Sequence, residues 1–227
     1  MNFKKTALVA AATLAFAAVS TTASAYTTSV LFPATGSGVR TSFASATTVD
    51  FNTAPVGTVS NYSVSNGSTT ATYDKGAIYN ASTPGITAIP AGADGNFWSI
   101  GTSPLSQVGP GTVSFSTAVK YYGFLWGSLD SYNRVVFDLI GGPQVSFTGD
   151  IVPPATGNQA RSAYFNFFAG DSEAISKVSF FSGANAFETD NHAFSVSAVP
   201  EPGTYAMMLA GLGLIGAVAR RRKANQA

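Results

Sequence analysis

The 227-residue chain has no cysteine and only one histidine, His192. The first absence excludes disulfides, thiol catalysis, thiolate zinc sites and redox switching. It leaves export open, because a domain of ordinary size buries enough surface to fold without crosslinks. Charge is scarce too: Asp, Glu, Lys and Arg make up 10% of the chain, against 12% aromatics. A chain poor in both would stay disordered, whereas one rich in aromatics has the material for a core. Helical periodicity of useful length is missing between residues 26 and 198, where the period is two.

The charges that exist are unevenly placed. Six of the twelve bases lie at the two ends (Lys4, Lys5, Arg220, Arg221, Arg222 and Lys223), where Glu201 is the one acid. Between the ends stand ten acids and six bases, a formal charge of −4. A mildly acidic domain with basic tips offers nucleic acid no electrostatic footprint.

Both ends read as targeting segments. At the N-terminus, Lys4 and Lys5 precede an apolar stretch from Ala7 to Val19, and Ala23-Ser24-Ala25 forms a small-x-small cleavage site. The stretch is Ala-rich and short for a membrane span. Residues 1–25 are therefore expected to be a signal peptide cut by signal peptidase, with Tyr26 as the mature N-terminus. At the C-terminus, Val199-Pro200-Glu201-Pro202 is held extended by its prolines. The seventeen uncharged residues from Gly203 to Ala219 follow, at the short end of a spanning helix. Arg220, Arg221, Arg222 and Lys223 close the segment as a cluster that stays on the cytoplasmic side.

This order of motif, span and basic cluster resembles the PEP-CTERM sorting signal of Gram-negative bacteria that make extracellular polysaccharide. The resemblance implies recognition of Val199, Pro200, Glu201 and Pro202 by a membrane-bound exosortase, cleavage nearby, and transfer to the cell surface or matrix. Those residues would be read by another enzyme and are not an active site of this chain. The expected organisation is a signal peptide (1–25), an ectodomain (26–198), a sorting signal (199–223) and a cytoplasmic tail (224–227).

In the ectodomain, Thr112-Val113-Ser114-Phe115-Ser116 and Val145-Ser146-Phe147-Thr148 alternate strictly, and Lys177-Val178-Ser179-Phe180 repeats the pattern. Gly and Pro punctuate the runs, as at Gly109-Pro110-Gly111 and Gly141-Gly142-Pro143. Many short strands between turns predict an all-β fold, an antiparallel β-sandwich or jelly roll. Tyr121–Trp126 is apolar on both faces and reads as a central strand, with Tyr164–Phe168 as a second aromatic strand. Residues 60–103 read as edge strands and long surface loops. Trp126-Gly127-Ser128-Leu129-Asp130-Ser131-Tyr132-Asn133 and Phe187-Glu188-Thr189-Asp190-Asn191 resemble segments that recur in some exosortase-sorted β-sandwich proteins. They imply a turn after an aromatic strand and a final strand, without an activity.

Chemistry is thinly provided. Asp130 with Asn133, and Asp190 with Asn191, place oxygen donors together at expected strand-end turns, the raw material of a calcium site. The same residue types also form turns on their own account. His192 near Asp190 reads as a hydrogen-bonded structural residue, since no Gly-x-Ser-x-Gly elbow supplies a nucleophile. Asp130, Glu188 and Asp190 are the plausible acids of a glycan hydrolase, which needs two carboxyls facing one cleft. Asn-x-Ser matches at Asn61, Asn66 and Asn80 read as chance in so Ser-rich a chain.

The expectation is a non-enzymatic surface or matrix protein associated with extracellular polysaccharide. A secreted glycan hydrolase and a purely structural spacer are the alternatives. A converging carboxylate pocket would favour the hydrolase, and an exposed row of Tyr or Trp would favour sugar stacking.

Overall fold

Alternation becomes strands wherever the apolar face finds a partner. The computed structural model describes residues 26–102, 109–197 and Leu212. Within them lie β1 (Tyr26–Leu31), β2 (Thr47–Val49), β3 (Gly57–Thr58), β4 (Tyr62–Ser65), β5 (Thr70–Asp74), β6 (Ala77–Tyr79) and β7 (Phe97–Ile100). They are followed by β8 (Gly111–Val119), β9 (Tyr121–Gly127), β10 (Asn133–Ile140), β11 (Val145–Thr148), β12 (Ser162–Ala169), β13 (Ala174–Ser182) and β14 (Phe187–Ser195). A 3-10 turn at Gly149–Ile151 breaks the pattern after β11. Among the described residues no helix is long and apolar enough to cross a membrane. The expected signal peptide, sorting motif, spanning helix and cytoplasmic tail lie outside the described residues, apart from Leu212 within the expected span.

The strands form two antiparallel sheets. The first runs β1-β12-β9-β14-β7-β6-β3, with β2 also paired to β14. The second runs β11-β10-β13-β8-β5-β4. From β8 onward the chain keeps changing sheet: β9, β12 and β14 lie in the first, β10, β11 and β13 in the second. Each change packs one sheet's inner face on the other, which is what makes the fold a sandwich.

Aromatic rings fill the space between the sheets. Phe137 of the second sheet stacks on Phe167 of the first at 4.1 Å between centroids. Phe124 meets Phe180 edge-on at 5.1 Å across the same gap. Such geometries let the ring edge face a neighbour's electron-rich face, adding to the area they bury. As the sequence implied, β9 is buried along its whole length and lies between β12 and β14.

Residues 60–103 depart from the reading as edges and surface loops. β4 is an edge, but β5 lies inside the second sheet and β7 is buried at all four positions. Trp98 is a fully buried core residue, and its indole N–H donates to Lys75 O at 2.9 Å. An isolated apolar run of four residues is too short to show a period, so only the tertiary partners β6 and β14 reveal its role.

Candidate functional site

The final strand gathers most of the candidate chemistry. β7 covers its first half through Phe187–Thr189, and β2 covers its second half through His192–Phe194. β9 lies along its other side, with a register shift between Asp190 and Ala193. All nine residues of β14 are buried, so its polar side chains have been taken from water. Asp190 and Asn191 were expected at a strand-end turn. They lie instead at a bulge in mid-strand, where Asn191 takes φ 47°. Asn tolerates that left-handed conformation better than most residues, and a bulge re-aims the side chains around it.

Glu188 and Asp190 face the loop that precedes β7. Glu188 Oε1 accepts a hydrogen bond from Ala88 N at 2.9 Å, while its Oε2 has no protein partner. Thr87 lies beside it and shares a 2.8 Å hydrogen bond with Ser99 Oγ. Burial pushes the Glu188 carboxyl up to about 7, with the nearby Asp130 charge acting in the same direction. Asp130 belongs to the turn between β9 and β10, and burial raises its pKa as well. Gly157 packs so closely against Asp130 that a Cβ there would stand 2.2 Å from its Oδ1. The structure therefore brings Asp130 to Glu188 rather than to Asp190.

Asn133 donates its backbone N–H to Asp130 O at 3.2 Å, while its side chain is engaged elsewhere. Its Oδ1 accepts from Ser182 Oγ at 2.6 Å and its Nδ2 donates to Ala186 O at 2.9 Å. These bonds tie the start of β10 to the β13–β14 connection, a structural duty that leaves little of the amide for a ligand.

Asp190 is wholly buried, and neither carboxyl oxygen has a hydrogen-bond partner in the protein. Burial drives its pKa up to about 8, and the charges of Asp94 and Asp50 push the same way. The backbone N–H groups of Asn191 and Asp94 oppose the rise by facing the carboxyl, yet neither closes to a hydrogen bond. Arg40 reaches Asp50 at 3.1 Å and Asp94 at 3.5 Å, and forms no ion pair with Asp190. Among the described residues, no three His, Cys, Asp or Glu side chains converge as metal ligands.

His192 points the other way, into the core. Its Nδ1 shares a 2.6 Å hydrogen bond with Tyr122 Oη, and the Phe180 ring stacks on it at 5.6 Å. Burial among rings lowers its pKa to about 3, so it is neutral at physiological pH. It is structural, as the sequence suggested, but its partner is a tyrosine and not Asp190. A pocket of about 400 Å³ lies between Ile100–Gly101, Gly109–Pro110 and Phe181–Ala184, and no acid lines it. Trp98 and Trp126 are fully buried, so neither belongs to an exposed stacking row.

The last described residue before the tail is Ser197, two residues past the end of β14. There the sequence gives way to the motif, apolar run and basic cluster noted above, and the family profile of the PEP-CTERM protein-sorting motif matches residues 198–223. The chain carries a PEP-CTERM sorting signal. It is thereby marked as an exported, exosortase-sorted surface protein, and exosortase is its processing partner. The tail thus begins where the sandwich ends, directly after a strand locked on both sides. No curated protein matches the chain.

Proposed function

We propose that this protein is a non-enzymatic component of the cell surface or extracellular matrix, retained among exopolysaccharide after exosortase has removed its tail. The observation that carries this reading is the sorting motif at residues 198–223 placed directly behind a sandwich domain. The placement of the acids supports it. Glu188 is 3% exposed and Asp130 is 9% exposed, so the two acids offer little surface to a sugar ring. A glycosidase needs its two carboxyls open to the same cleft.

Contact with a polysaccharide would fall to the Ser, Thr and Asn side chains of the charge-poor surface, which hydrogen-bond to hydroxyls. Both tryptophans are withdrawn into the core, so ring stacking would have a lesser share. The hydrolase alternative retains one observation in its favour: Glu188 has a pKa of about 7 beside a second carboxyl.

The test is co-sedimentation of exported protein with purified exopolysaccharide from the producing cells, with reducing ends assayed in the same tubes. The proposal expects protein in the polymer pellet and no new reducing ends. Reducing ends that accumulate with wild type and vanish with Glu188→Gln would establish the hydrolase instead. Protein that stays in the supernatant would remove the polysaccharide from the account.

A further inference from the structure

Asp190 and Asn191 stand out in the described fold, each with both polar side-chain atoms buried and without a partner. A buried carboxyl normally takes hydrogen bonds, pairs with a base or holds a metal, because losing water costs several kcal/mol otherwise. Asp190 has neither a hydrogen bond nor an ion pair from the protein. Beside it, Asp94 also keeps one oxygen, Oδ1, buried and without a partner. The other oxygen of Asp94 presses on the backbone at Gly38, where a Cβ would stand 2.8 Å from Oδ2. Glycine there lets the loop before β2 close on Asp94. Asn191, next in the chain, buries an amide oxygen that likewise lacks a donor.

We propose that Asp190 and Asp94 form the centre of a calcium site between the final strand and the loop that covers it. Two neighbouring carboxylates with unused oxygens present the hard ligands calcium prefers, and together supply up to about four of its six to eight positions. Asn191 Oδ1, backbone carbonyl oxygens and water complete the shell. Arg40 compensates Asp50 and Oδ2 of Asp94, leaving Asp94 Oδ1 and both oxygens of Asp190 without a cation. With two carboxylates rather than three, the site belongs to the weak class of extracellular modules, with a dissociation constant of about 0.1–1 mM. Its role is to fasten the loop before β7 onto β14.

The full chain in detergent, stripped with chelator, is melted with and without excess calcium, and with magnesium or sodium chloride at matched ionic strength. Calcium at roughly ten times the dissociation constant should raise Tm by about 2–4 °C, while the other salts leave it within error. Asp190→Asn keeps the shape, removes the charge and should abolish the shift. Asp94→Asn, on a part-exposed loop and so the safer variant to fold, should weaken calcium at least tenfold. Equal melting in calcium and chelator would overturn the site and leave Asp190 a buried neutral acid. A shift common to all three salts, or one retained by both variants, would overturn it as well.

Discussion

Glu188 shows how a single position couples this fold to pH. Its carboxyl titrates near 4.5 in ordinary surroundings and at about 7 beneath Thr87 and Ala88, chiefly because burial disfavours the charged form. Below pH 4.5 both states are protonated, and the group leaves stability unchanged. As pH rises from there to about 7, the unfolded chain releases a proton that the folded chain retains, and stability falls. Glu188→Gln keeps the acceptor for Ala88 N and does not ionise. The unfolding free energy of the variant minus that of wild type should be level below pH 4.5. It should then grow by about 1.4 kcal/mol per pH unit before flattening near neutrality. Urea titrations at half-unit steps of pH measure this difference, and a difference independent of pH contradicts the burial argument. The sequence placed Glu188 and Asp190 on one face of a strand, which the fold bears out. It gave no sign that Glu188 meets Asp130 while Asp190 meets Asp94. Those pairings depend on loops distant in the chain, and hydrophobic period carries no information about them.

At the scale of elements, β14 is the keystone, since β9 lines one side and β7 and β2 share the other. Removing it would take Phe187, His192 and Phe194 out of the core together, and leave three strands without their ladder. A chain ending at Ser197 should therefore keep a cooperative thermal transition and β-type circular dichroism. A chain ending at Ala186 should lose both, because the lost burial far exceeds the few kcal/mol by which domains are stable. Cooperative melting of the shorter chain would show that β14 is an accessory strand. The long apolar strands β9 and β12 were legible because an unbroken aromatic run has only one way to be hidden. β7 was not, since four residues set among glycines and prolines show no period and are buried by their partners. The bulge at Asn191 escaped for a similar reason: strict alternation is the signal being read, and a bulge interrupts it.

For the whole molecule, the central claim is that a closed sandwich is delivered by removable ends. Tyr26, the expected first residue of the mature chain, already pairs with Ala169 in β1 and stacks on Phe167 at 5.2 Å. At the other end, β14 reaches Ser195 and the matched sorting motif starts at residue 198. Loss of either end should then leave the packed core untouched. The sorting motif was more legible in the sequence than the chemistry, because targeting signals are read locally by other proteins while sites are assembled across the fold. The most direct test is intact-mass and terminal sequencing of the protein from cells with and without exosortase. With the enzyme, the surface-exposed chain should begin at Tyr26 and lack the apolar run from Gly203 to Ala219 and the basic cluster behind it. Without it, the chain should keep both and remain in the membrane fraction. An identical C-terminus in the two strains would contradict the account.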